Sequence, residues 1–268
     1  MNLTTALATA PTTMLELPVW VVIVLGIVAF GTAMLSAIVG MAGGIILLGT
    51  MLIFLEPTIV IPIHGAIQLV SNTTRATVQR KHLAWSLIWR YSLLLLPMGL
   101  LAIGLVTQAP ENLLKGLIGV FVLFATWRPR WLLLGSNPQS IDSKKRFILL
   151  GGVVGFLNII VGAVGPFIAP FFLNVGLSRQ TIVGTKAACQ AVGHVVKIIL
   201  FVGAGFAFIA YVPLLAVMIP LVILGTWVGS RLLDKIGEKS FVWLFKTALT
   251  LIACWLLIHS IWPEFQTT

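Results

Sequence analysis

Uncharged apolar runs such as 19–30 and 92–106 follow one another along almost the whole chain. Ten can be marked, at about 18–38, 43–55, 58–79, 87–106, 112–133, 147–161, 166–175, 180–203, 207–229 and 240–262. A bilayer-crossing helix needs about 20 consecutive apolar residues, and several of these runs reach that length. They do not alternate between polar and apolar residues as barrel strands must. The expected fold is therefore an all-α integral membrane protein. Composition agrees, since only 9% of the 268 residues are charged, against about 25% in a soluble domain.

The net charge of +10 comes from seventeen Lys and Arg against seven Asp and Glu. In a soluble protein that balance would raise nucleic acid as a partner. Between apolar spans it reads as positive charge flanking the cytoplasmic side, and no nucleic-acid partner is expected. So few carboxylates leave little to hold a metal or carry a cation. Cys189 and Cys254 both fall inside apolar runs and read as small packing residues. The first eighteen residues lack a basic n-region, so the first run reads as a retained span rather than a signal peptide.

The polar stretch 135–146, GSNPQSIDSKKR, divides the chain almost in half. A shift of 122 residues carries Val39, Gly40 and Gly43 onto Val161, Gly162 and Gly165, and Gln68 onto Gln190. It also carries Arg75 onto Lys197. The matched glycines and glutamines at one offset point to an internal duplication: a first repeat at 1–134, a cytoplasmic linker at 135–146 and a second repeat at 147–268.

Loop charge indicates how the copies run. Arg80, Lys81, His82 and Arg90 mark an inner segment, whereas its counterpart near 203–210 has no charge. Arg128, Arg130, Lys144, Lys145 and Arg146 mark a second inner segment; Arg231, Lys235 and Lys239 mark a third. Neither the first 74 residues nor the last seven contain Lys or Arg, which places both ends outside. An odd number of crossings per half satisfies this pattern. The expectation is two inverted-topology repeats of about five segments each, with eight full spans plus short broken helices. Such repeats are usual in secondary transporters, which bind substrate near the midplane.

Matched interruptions mark that midplane. VGMAGGIILLGT at 39–50 contains Gly40, Gly43 and Gly44; VGAVGPFIAPFF at 161–172 contains Gly162, Gly165, Pro166 and Pro170. A break frees backbone groups that lipid cannot satisfy, so it belongs beside a cavity. A short helix starting after each break would aim its electropositive N-terminus inward, an arrangement suited to an anion. Gly26, Gly116, Gly119, Gly225 and Gly229 are read instead as close-packing positions.

A polar stripe follows each break. His64, Gln68, Ser71, Asn72 and Arg75 share one helical face, and Lys186, Gln190, Gly193, His194 and Lys197 repeat their spacing. Lys186 has no acidic neighbour in sequence, so a bound anion is its expected counter-charge; snorkelling, or pairing with Glu56 or Glu16, is the alternative. Arg75 and Lys197 lie nearer the helix ends and are expected to be interface anchors. His64 and His194 lack the Cys or carboxylate company of a metal site and read as buried donors or proton acceptors. Trp85, Trp89, Trp127, Trp131 and Trp262 read as interfacial anchors. No GxSxG, HExxH, Walker A or GxGxxG sequence is present, so neither an enzyme nor a bound cofactor is expected.

The two VGxxGG-like segments, 39–44 and 161–166, each with its polar helix, resemble the TauE/SafE family of sulfite exporters and toluenesulfonate-uptake permeases. The likeness extends over nearly the whole chain, departing where Pro166 replaces the family's glycine. It implies secondary transport of a small anion, such as sulfite, a sulfonate or a related sulfur compound, across the plasma membrane. The expected binding residues are Gly40, Gly43, Gly44, His64, Gln68, Asn72, Gly162, Gly165, Pro166, Lys186, Gln190 and His194. The lipid bilayer is the other partner. An anion channel on the same scaffold, or a membrane scaffold protein without transport, are the competing readings.

Overall fold

The computed structural model describes residues 17–39, 43–128, 142–172, 176–232 and 239–262. Gly40, Arg130, Trp131, Lys235 and most of the linker, 135–141, fall outside them. Among the described residues the chain is helical, with no strand. Helices α1 (Val19–Val39), α2 (Gly43–Phe54) and α3 (Pro57–Val78) lead through a 3-10 turn at Arg80–His82 to α4 (Trp85–Ser92), α5 (Leu95–Val106) and α6 (Glu111–Trp127). Next come α7 (Ser143–Ile160), the one-turn α8 (Gly165–Ile168) running into a 3-10 turn at Ala169–Phe172, and α9 (Arg179–Gly203). A 3-10 turn at Phe208–Tyr211 precedes α10 (Val212–Leu232) and α11 (Lys239–Ile261).

Local chemistry sets the starts. The Ser178 hydroxyl accepts from Thr181 N at 3.2 Å and caps α9, satisfying one donor that a helix start leaves unpaired. Asp142 caps α7 by accepting from Lys144 N at 2.9 Å. Pro57 opens α3, where its missing N–H costs nothing. These starts respect the 122-residue shift: α2 and α8 begin at Gly43 and Gly165, α3 and α9 at Pro57 and Arg179.

Among the described residues three helices are long and apolar enough to cross a membrane, and a fourth span results if α4 and α5, bent by 40°, act together. Fewer qualify than the apolar runs suggest. The polar stripe lowers the hydropathy of α3, and the 12 residues of α2 extend only about 18 Å at 1.5 Å each, against a hydrocarbon core of about 30 Å. Leu100, Leu101, Leu105, Ile199, Val202 and Leu251 are exposed, forming the kind of apolar surface that lipid covers. Trp85, Trp89 and Trp262 also lie exposed. Cys189 is buried, Cys254 is exposed, and neither is disulfide-bonded.

Corresponding helices pack in reciprocal pairs. Helix α1 packs on α10, and α7 on α4 and α5; α2 packs on α11, and α8 on α6. At the centre α3 packs on α9, and α6 packs on α11. Gly65 faces the Lys197 side chain while Gly184 faces Gln79, so α3 and α9 run antiparallel. Gly116 faces Ser260 and Gly119 faces Leu257, giving α6 and α11 the same opposed sense. By contrast α1 and α10 run parallel, with Gly225 against Phe30 and Gly229 against Met34. Lys115, 2% exposed on α6, pairs with Glu56 at 2.9 Å and ties α6 to the start of α3.

Candidate functional site

The two breaks flank the α3–α9 crossing. At the second, Gly162 sits at φ +81, a left-handed conformation that only glycine adopts without strain. The chain turns there and α8 begins three residues later. Lys197 Nζ donates to Gly162 O at 2.6 Å. Its stem passes Gly65 so closely that a Cβ there would stand 2.8 Å from Lys197 Cδ. At the first break, His64 Nε2 donates to Gly44 O at 2.8 Å. Each break thus has a backbone carbonyl held by a side chain of the long helix that follows it: Lys197 of α9 at the second and His64 of α3 at the first.

Between them lies a small cavity. Its polar wall comes from α3 (His64, Gln68, Asn72, Arg75) and α9 (Gln190, His194), with Ser36 of α1, Tyr91 of α4 and Asn158 of α7. Gly44 and Ile45 at the start of α2 line it too. Its apolar side is Val154, Ala163, Val164 and Ile168, beside Gly165. The space open to the centre of a water-sized sphere is about 20 Å³, above the roughly 10–15 Å³ that one water needs. His64 and His194 face each other with ring centroids 6.2 Å apart.

Among the described residues no Asp or Glu lines the wall. Arg75, 2% exposed, supplies its permanent positive charge. Many wall atoms are buried without a hydrogen-bond partner: Arg75 Nε, both amide atoms of Asn72, Tyr91 Oη, Asn158 Oδ1, and Nδ1 of His64 and of His194. More than 90% of buried backbone polar groups, and most buried side-chain polar atoms, find partners in native structures. So many orphans around one cavity, with donors at Arg75 Nε, Asn72 Nδ2 and Tyr91 Oη, make a site that a small oxyanion satisfies.

The structure brings together Gly44, His64, Gln68, Asn72, Gly165, Gln190 and His194 on that wall. Others expected there lie elsewhere. Lys186 is buried on α9 but off the wall. Glu56, considered as its partner, pairs with Lys115 instead. Gly43 is a packing position, since a Cβ there would run into Thr32 O and Ser36 Oγ of α1. Gly162 contributes its turn and its carbonyl from behind the wall. Pro166 is buried within α8 and does not line the cavity. The expected second helix dipole fails as well: α8 lasts four residues before tightening to 3-10, where Pro170 has no N–H to continue an α-helix.

Two further corrections concern Arg75 and Lys197. Both are wholly buried, at 2% and 0% exposure, and neither anchors at an interface. Proximity to a helix end misled because the antiparallel partner helix covers the end, as Gly65 of α3 covers the Lys197 stem. Ser36, Tyr91 and Asn158 were not singled out from sequence. A signal existed for two of them: Ser36 and Asn158 are polar residues in apolar runs, and they are related by the same 122-residue shift.

A family model described as "Sulfite exporter TauE/SafE" matches residues 24–256. The chain belongs to that family, one of membrane transporters of sulfur compounds. Neither the curated proteins nor the solved structures gave a match.

Proposed function

We propose that this chain is a secondary transporter of a small anion, namely sulfite, an organosulfonate or a related sulfur compound, in the plasma membrane. The observation carrying this reading is the cavity at the α3–α9 crossing, lined by no carboxylate among the described residues, where Arg75 and several orphaned donors converge. Arg75 replaces Lys186 as the charge that holds the substrate. Guanidinium meets a planar or tetrahedral oxyanion with paired donors, and Asn72, Tyr91, Gln68 and Gln190 lie on the same wall to complete the shell.

The transport mechanism we infer is alternating access between two inverted repeats, with eight full spans and the short segments α2 and α8 meeting at the midplane. Antiparallel packing of α3 on α9 and of α6 on α11 supports it, because equivalent helices in inverted copies must run oppositely. So does the exchange of partners, α1 with α10 and α7 with α4 and α5. The division into repeats at 1–134 and 147–268 belongs to the same proposal.

The test is flux into proteoliposomes of sulfite, methanesulfonate and larger sulfonates. Saturable uptake by the wild type, lost in Arg75→Gln, is the expected outcome. Wild-type uptake no faster than protein-free vesicles for all of these anions would overturn the assignment. Discrete unitary currents in planar bilayers would replace the carrier with a channel.

A further inference from the structure

We propose that His64 is a proton-binding site linked to the anion: the cavity takes up one proton on His64 Nδ1 with each anion and releases it when the anion leaves. The inference rests on the anion reading above and adds a second ligand to it.

The argument begins with the tautomer. Gly44 O can only accept, so His64 Nε2, 2.8 Å away, carries the hydrogen. A neutral imidazole has one N–H, which leaves Nδ1 with a bare lone pair. That atom is buried and has no partner, on a residue lining the cavity. The same wall carries donors: the Arg75 guanidinium, the Asn72 amide and the Tyr91 hydroxyl. A lone pair repels an anion that those groups attract. Adding one proton turns Nδ1 into a charge-assisted donor and removes the mismatch.

Charge explains why the proton should come with the anion rather than before it. Facing His64 from α9 are Lys197, its Nζ on Gly162 O at 2.6 Å, and His194. Arg75 of α3, about three turns along from His64, and Tyr91 of α4 share the cavity wall. Helix α2 has no titratable side chain, and the one charged residue of α10, Arg231, lies over Trp227 at its far end. Lys115 of α6 is held by Glu56, about two turns from His64. Among the described residues no carboxylate lines the cavity. Lys197 therefore repels an imidazolium in the empty site, and a bound anion offsets it. Each ligand favours the other, and the coupling is reciprocal. Proton movement down its gradient would then drive the anion in the same direction.

The test uses methanesulfonate, a strong-acid anion that neither takes up nor releases protons itself. Its binding to purified wild-type protein is measured by calorimetry between pH 5.5 and 8.5, in buffers of different ionisation enthalpy. The expected result is uptake of about one proton per anion, with affinity falling about tenfold per pH unit where His64 is neutral in the free protein. His64→Gln, whose amide can still donate to Gly44 O, should bind with affinity independent of pH and with no proton uptake. Wild-type binding with heat independent of buffer overturns the proton site while leaving the anion site standing. Proton uptake retained in His64→Gln also overturns it. Failure of methanesulfonate, sulfite, sulfate and thiosulfate to bind at any pH overturns both.

Discussion

Arg75 and Lys197 occupy the same position in the two halves, 122 residues apart, yet they act differently. Arg75 lines the cavity, with its Nε unpartnered. Lys197 turns away from the cavity and holds the carbonyl at the second break. The two positions related by this shift thus have two tasks, lining the cavity and propping the backbone. Side-chain chemistry suits the division: a planar fork reads an oxyanion, whereas a compact ammonium on a long stem can thread past Gly65 to a single carbonyl.

The sharpest way to break this comparison is to neutralise each member. Arg75→Gln removes a charge-assisted contact of about 1.5–3 kcal/mol, so proteoliposome flux should fall roughly tenfold to a hundredfold. Its melting temperature should change little, because no protein group loses a partner. Lys197→Met should do the reverse first. It leaves Gly162 O buried and unpaired, at a cost of about 1–3 kcal/mol, and thermal unfolding in detergent should register that loss. Equal effects of the two variants on both readouts would erase the distinction.

Gly162→Ala tests the propped break itself. The residue would be held at φ +81 with its Cβ 2.9 Å from Leu48 Cδ1, a strain of about 1–3 kcal/mol, readable as a lower melting temperature. The smallest effect is expected from Lys186→Ala, which lies off the cavity wall. Flux per folded molecule should stay within about twofold of wild type, since an effect below roughly 0.5 kcal/mol corresponds to that factor. The inverted relation is tested separately by labelling single cysteines at Lys81 and Ala207, which are exposed. Reagents confined to one side should reach one and not the other.

Much of this arrangement was legible beforehand, for identifiable reasons. The break positions could be read because glycine and proline at a fixed offset are rare signals in apolar sequence: Gly43 and Gly165 do begin short helices. The stripe could be read because helical periodicity places His64, Gln68 and Asn72 on one face. Periodicity does not say, however, which of several long side chains lines a cavity. Antiparallel packing sets Gln79 of α3 against Gly184 of α9, so Arg75 and Lys186 lie at similar depth, yet Arg75 lines the cavity and Lys186 does not. Asn158 and Tyr91 come from helices α7 and α4, which sequence gave no reason to place beside α3. The brevity of α8 depended on Pro170 lying one turn after Pro166, a local conflict masked by the apparent match between the two segments.

The central claim is that an oxyanion binds at the α3–α9 crossing against Arg75. Equilibrium binding of radiolabelled sulfite and methanesulfonate to purified wild type, Arg75→Gln and Lys186→Ala tests it most directly. Displaceable binding by the wild type and Lys186→Ala, with affinity at least about tenfold weaker in Arg75→Gln, is the predicted result. Wild-type affinity in Arg75→Gln, or its loss in Lys186→Ala alone, would contradict it.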